Sequence, residues 1–216
     1  MLRPSTLGSI SVIAWMDEAS AAITAEVDHL TQLDAAIGDG DHGVNLARGF
    51  RAVREAVATS GADSPSPGRL LIIAGKTLVS TVGGASGPLY GAALRSAGRS
   101  LRDAAELDGS RLADALDAAL AGVVELGAAE AGDKTMVDAL QPAAAALRTA
   151  VERGAPLAEA LEAAASAAAD GARSTVPMQA RKGRASYLGE RSIGHEDPGA
   201  ASTALLVAAL GRALSE

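Results

Sequence analysis

The stretch Leu33-Asp34-Ala35-Ala36-Ile37-Gly38-Asp39-Gly40-Asp41-His42-Gly43 sets three aspartates within eight residues, the last two alternating with glycine. Clustered carboxylates repel one another unless a cation lies between them, and an all-oxygen donor set suits Mg²⁺ or Ca²⁺ rather than zinc. Glycine adopts φ > 0 and lets the backbone approach a ligand closely. The stretch therefore reads as a hard-metal site on a glycine-hinged loop between two helices. An acidic surface turn leading into a helix cap is the other reading of the same residues. Asp39-Gly40-Asp41 also hints at an EF-hand, but the position that should carry the closing glutamate is Phe50.

The rest of the chain must place this loop, and its composition points to helices. Hydrophobic residues make up 48% of 216 residues, yet aromatics only 2%, so alanine and leucine have to build the core. That favours closely packed helices over a β-sandwich. There is no cysteine for a disulfide or a thiolate metal site. Neither a signal-peptide pattern over residues 1–14 nor an apolar run long enough to span a bilayer is present, so a cytoplasmic, non-membrane protein is expected. A net charge of −7, with Trp15, Phe50, Tyr90 and Tyr187 as the whole aromatic complement, argues against nucleic acid as a partner.

Apolar periodicity of 3.6 residues predicts eight helices, over about 9–30, 44–59, 68–81, 88–103, 110–128, 135–153, 156–174 and 199–214. Core candidates include Ile10, Ile13, Ala14 and Val27 in the first and Val44, Ala47, Phe50, Val53 and Val57 in the second. Gly75-Lys76-Thr77 imitates the end of a Walker A loop, but Leu70 occupies the place of its first glycine and no strand precedes it. Lys76 and Thr77 read as helix surface and packing.

The connections between these helices fall into two kinds. Those following even-numbered helices are plain turns: residues 60–68, 106–109 and 153–156. Those following odd-numbered helices are unusual: Gly38 to Gly43, Gly83-Gly84-Ala85-Ser86-Gly87-Pro88, Ala131-Gly132-Asp133-Lys134-Thr135-Met136, and Val176 to Gly199. Sequential helices with short loops run antiparallel. All four unusual loops should then converge on one rim. Pooled, that rim holds Asp34, Asp39 and Asp41, two glycine-flanked helix starts able to bind phosphate oxygens, and a cationic segment with Arg181, Lys182, Arg184 and Arg191. These are the parts of phosphoryl-transfer chemistry, in which a protein mainly positions groups and neutralises charge. Taken singly, each loop could also be an ordinary capped turn or a solvated surface segment. His42 and His195 lie on the rim as donors, phospho-carriers or structural residues, and His29 within the first helix reads as structural or exposed.

Four blocks carry a family resemblance: LDAAIGDGDHGVNLARG over 33–49, VGGASGPLYG over 82–91, GDKTMVD over 132–138, and MQARKGRASYLGERSIGHEDPGAA over 178–201. In these the chain resembles the nucleotide-binding L subunits of dihydroxyacetone kinases (DhaL) and the homologous domain of single-chain dihydroxyacetone kinases. The resemblance implies a single domain over 1–216, an all-α, eight-helix antiparallel up-and-down barrel with ADP or ATP and two Mg²⁺ ions at one rim. Asp34, Asp39 and Asp41 match the metal carboxylates. His42, Asn45, Ala85 and Ser86 match the phosphate region; Leu89, Gly127 and Met136 would border the adenine. Arg184 matches a phosphate-contacting arginine, and Asp197 with Pro198 belongs to a closing loop. Ala131 departs from the proline of several relatives.

The resemblance also implies partners. In the phosphoenolpyruvate-dependent branch, bound ADP is rephosphorylated by an M-type phosphohistidine protein of the phosphotransferase system. The phosphoryl group then passes to dihydroxyacetone on a K-type subunit. Because the chain has no room for a substrate domain, it is expected to be a separate subunit, with Arg181, Lys182 and Arg191 available for docking. A transcription regulator and a second copy of the chain are further partners that the family admits. The sequence leaves open an ATP-dependent kinase of a ketose such as a tetrulose, and a non-catalytic Mg²⁺–nucleotide sensor.

Overall fold

The computed structural model describes residues 6–60 and 65–213. Residues 61–64 of the expected turn and the expected helix end at 214 lie outside them. Among the described residues there are nine α-helices: α1 (Ser9–Ala25), α2 (Val27–Ile37), α3 (His42–Ala58), α4 (Pro67–Thr81), α5 (Ser86–Leu101), α6 (Gly109–Gly127), α7 (Val137–Glu152), α8 (Leu157–Ser174) and α9 (Pro198–Arg212). A 3₁₀ segment, Arg184–Ser192, kinks at Gly189 between α8 and α9. No strand occurs among these residues; the one β-bridge joins Leu7 to Leu107. No helix described is long and apolar enough to cross a membrane.

Eight of the helices pack as a closed ring: α1 on α3, then α3 to α9 each on the next, and α9 back on α1. The residues that meet make several neighbours antiparallel. The start of α3 meets the end of α4, with Arg48 Nε donating to the Thr81 carbonyl at 3.0 Å. Gly68 of α4 meets Gly98 of α5, while Gly75 meets Gly91. The interior is aliphatic, with Leu30, Leu46, Leu70, Leu78, Leu147 and Leu161 fully buried beside alanines such as Ala74, Ala113 and Ala164.

Three sequence expectations need correction. The first helix is interrupted at Glu26 (φ −104°, ψ 14°), and α2 continues to Ile37. Asp34 is therefore a helical residue, and α2 packs on α3, α9 and the 3₁₀ segment rather than joining the ring. Ile10 is 83% exposed, because α1 buries Val12, Met16, Ala19 and Ile23. A residue two positions from Val12 lies about 200° round the helix. Val44 is 55% exposed: α3 turns Asn45, Leu46 and Phe50 inward instead.

The contact of α4 on α5 uses glycine where a side chain cannot fit. A Cβ on Gly98 would stand 2.5 Å from the Gly68 carbonyl and 2.8 Å from Ile72 Cγ1; one on Gly75 would stand 2.8 Å from the Gly91 carbonyl. Gly75, the residue that imitated a nucleotide loop, is thus a packing residue. Gly98→Ala is expected to lower unfolding stability by about 1–3 kcal/mol in urea titration through overpacking. An unchanged midpoint would mean that the two backbones are not in contact.

Candidate functional site

The α2–α3, α4–α5 and α6–α7 connections and the segment before α9 line one cavity of about 360 Å³ at a single end of the ring. Loop parity read from sequence thus has a spatial counterpart. Every predicted site residue lines this cavity: Asp34, Asp39, Asp41, His42, Asn45, Ala85, Ser86, Leu89, Gly127, Met136, Arg184, Asp197 and Pro198. Lys182 joins them, whereas Arg181, Arg191 and His195 do not line it. His29 is exposed on α2.

The acidic loop is folded by its own carboxylate. Asp34 Oδ2, on the last turn of α2, accepts from the backbone N–H of Asp41 at 2.8 Å and of His42 at 3.1 Å. Gly40 turns the chain with φ +73°, and a Cβ on Gly38 would overlap Asp34 Oδ1. One carboxylate oxygen from each of Asp34, Asp39 and Asp41 lies within 4.8 Å of the others. Three oxygens at this separation, with no sulfur, form a donor set that fits a hard divalent cation. On the outer side, the exposed Arg184 guanidinium pairs with Asp39 Oδ2 at 2.9 Å.

Across the cavity, α5 begins at Ser86 with no side-chain cap on its N-terminus. First-turn N–H groups and the positive end of a 16-residue helix are therefore presented beside the carboxylates. A third wall is apolar, made by Leu89, Val123, Leu126, Gly127, Ala129 and Met136. The cavity thus joins an acidic, an amide-rich and an apolar face.

His42 is buried with both ring nitrogens engaged, Nε2 at 2.8 Å from Ser202 Oγ and Nδ1 at 3.1 Å from Ser86 Oγ. Burial lowers its pKa, opposed by Asp34 and Asp41, so the ring is neutral at pH 7. Its nitrogens are spent on hydroxyls and it is not part of the carboxylate cluster.

Four residues of the site were not predicted. Lys134, 1% exposed and at φ 63°, donates from Nζ to the Thr175 carbonyl at 2.6 Å and to the His195 carbonyl. Burial pulls its pKa down against the fields of Asp197, Asp138 and Glu196. It fastens the α6–α7 loop to both ends of the closing segment, where Arg181 N–H also donates to the Asp133 carbonyl at 3.0 Å. Asp138 organises that loop by accepting from Gly132 N–H at 2.6 Å and Thr135 N–H at 2.8 Å. Tyr90 and Ser202 support His42 from below; burial pushes the Tyr90 phenol up to about 12. Lys134 and Asp138 stood in a quoted motif, and a lysine between glycine and an apolar helix was their only signal. Tyr90 also stood in one of the four blocks, whereas Ser202, 112 residues away, had no signal.

Asp197 caps α9, its Oδ2 accepting from Ala200 N–H at 2.7 Å, while its own N–H donates to Thr175 Oγ1 at 2.9 Å. Burial raises its pKa to about 7, with the Ala200 amide and Lys134 pulling the other way. A folded pKa above the unfolded value means that the native state holds this proton more tightly. Asp197's contribution to stability is then full below about pH 4 and declines as pH rises to about 7. Asp197→Asn keeps an acceptor for the cap without the charge. Its melting temperature relative to the parent is expected to rise from pH 4.5 to pH 7.5 in thermal scans; a flat or falling difference would contradict this placement of the carboxylate.

Residues 36–212 match the family model described as the DAK2 domain. The chain is 43% identical, over 98% of its length and 100% of the relative's, to the Escherichia coli K12 protein named PEP-dependent dihydroxyacetone kinase, ADP-binding subunit DhaL. It is 40% identical to the L-erythrulose 1-kinase of Mycolicibacterium smegmatis over 86% of this chain and 32% of that one. The crystal structure of the dihydroxyacetone kinase from C. freundii in complex with AMP-PNP and Mg²⁺ superposes with a TM-score of 0.71. That likeness extends over 95% of this chain and 34% of the kinase, at 29% identity. With the fold, the rim cavity and the sequence in agreement, this chain belongs to the DAK2 domain family.

Proposed function

We propose that this chain is the Mg²⁺- and ADP-binding subunit of a phosphoenolpyruvate-dependent dihydroxyacetone kinase, acting as one nucleotide-binding domain over 1–216 in the cytoplasm. The observation that carries the reading is the carboxylate trio, oxygens within 4.8 Å, facing the uncapped start of α5 across one cavity. Similarity along the whole of the E. coli ADP-binding subunit supports the ADP-binding role.

Asp34, Asp39 and Asp41 would hold two Mg²⁺ ions, and the first-turn amides of α5 with Ser86 and Asn45 would hold the phosphates, His42 acting in that region by orienting Ser86. The apolar wall of Leu89, Gly127 and Met136 suits an adenine ring, while Arg184, Asp197 and Pro198 close the cavity. When bound, the nucleotide would carry a phosphoryl group from an M-type phosphohistidine protein to dihydroxyacetone on a K-type subunit. The chain itself supplies fixed donors and opposing charge, arranged before the reaction so that little reorganises during it. Two rim carboxylates are exposed, which leaves the phosphoryl end of the cavity reachable by a partner.

Similarity to the erythrulose kinase supports a second reading, an ATP-dependent ketose kinase whose nucleotide exchanges freely. Denaturing freshly purified, dialysed protein separates the two. One equivalent of released ADP supports the bound-cofactor reading; an empty site that turns over ATP with a K-type partner supports the second. Absence of any Mg²⁺-dependent adenine-nucleotide binding would overturn both. Asp39→Asn is expected to retain its helical circular dichroism while Mg²⁺-dependent ADP affinity falls at least about tenfold, since one carboxylate facing the cation is lost. Unchanged affinity would remove Asp39 from the metal site.

A further inference from the structure

Beneath the cavity floor runs a continuous chain of side-chain hydroxyls and one imidazole. Tyr90 Oη lies 2.7 Å from Ser202 Oγ, Ser202 Oγ lies 2.8 Å from His42 Nε2, and His42 Nδ1 lies 3.1 Å from Ser86 Oγ. Ser86, in the first turn of α5, lines the cavity with His42 and Tyr90, but those two and Ser202 are buried while Ser86 is only half-buried. Each member carries one proton to give and lone pairs to receive another, and a neutral imidazole has one donor and one acceptor nitrogen. The chain can therefore be ordered in either of two directions.

Both directions are built into the surroundings. Ser202 Oγ can donate to the carbonyls of Pro198 at 2.9 Å and Gly199 at 3.1 Å. In that arrangement His42 Nε2 carries the imidazole proton and gives it to Ser202, and Ser86 gives its proton to Nδ1. Ser86 then turns lone pairs toward the cavity. In the opposite arrangement Tyr90 donates to Ser202, Ser202 to Nε2, and the Nδ1 proton goes to Ser86. Ser86 then has its own proton free for the cavity. Thr203 Oγ1 donates to the Gly199 carbonyl at 2.8 Å and lies 2.9 Å from Tyr90 Oη, which keeps the far end satisfied either way.

An anion only accepts hydrogen bonds, so a phosphate oxygen at Ser86 is repelled by the first order and bonded by the second. We propose that Tyr90 and Ser202 are positioning residues that set the tautomer of His42, so that anion binding at Ser86 selects the Nδ1–H form and turns the Ser86 hydroxyl into a donor. The inference rests on the reading of this cavity as a nucleotide-phosphate site and deepens it. The proton inventory is the same in both orders: three hydroxyl hydrogens reorient, and the imidazole releases its Nε2 proton to solvent and takes one from solvent at Nδ1, His42 itself lining the open cavity.

Tyr90→Phe removes the first hydroxyl and keeps the buried ring. The test is ¹⁵N spectroscopy of the His42 ring, with binding isotherms for Mg²⁺–ADP and for adenosine, on the parent and on Tyr90→Phe. In the parent, Mg²⁺–ADP is expected to convert His42 to the Nδ1–H tautomer. In Tyr90→Phe, that conversion should be incomplete and ADP affinity about threefold weaker, within the range of one hydrogen bond, with adenosine affinity unchanged. Ser202→Ala should abolish the conversion. Weakening of ADP and adenosine together would mark Tyr90 as structural only. His42 remaining Nε2–H in ADP-bound parent would overturn the inference alone. A parent that binds no Mg²⁺–ADP would overturn the nucleotide reading as well.

Discussion

Three carboxylates kept within 4.8 Å are a concentration of like charge that the chain has to assemble against repulsion. Local hydrogen bonding does much of this. Asp34 is the anchor: two consecutive backbone N–H groups bind one of its oxygens, so the loop that carries Asp39 and Asp41 wraps around a charge already fixed on a helix. The amide dipoles at the start of α3 partly offset that charge. The remaining attraction for a cation is left in the exposed oxygens of Asp39 and Asp41, where a ligand can reach them.

The other walls follow from the need to surround this loop with complementary groups from distant parts of the chain. The ring brings four connections to one end, and a buried lysine locks the longest of them in place. Lys134 makes no ion pair within bonding distance among the described contacts; its two acceptors are carbonyls, one on each side of the closing segment. Charged donors bind carbonyls more strongly than neutral ones do. A segment with little regular structure is thereby held to the scaffold with the definition of a helix.

Composition and punctuation made much of this legible. The glycine- and aspartate-rich connections announced themselves, and counting helices was enough to predict that they share a rim. The Ala- and Leu-based core followed from the scarcity of aromatics. What escaped was decided at long range. Ile10 and Val44 fit an apolar period, but the face that a helix buries depends on which neighbours flank it, and both fall on the outer side. The interruption at Glu26 leaves no proline or glycine to mark it, because tertiary packing of α2 on α3 and α9 sets the angle. The partners of His42 come from α5 and α9, joined only by the fold.

Although α2 is set outside the ring, it lays Leu30 into the common core and carries Asp34 on its last turn, so one helix serves both the scaffold and the metal geometry. The stretch from Asp39 to Asp41 is free of buried residues. A lineage can adjust its affinity for the ion through those exposed carboxylates while the staves of the ring stay where they are, whereas a change along α2 is felt by ion and core together.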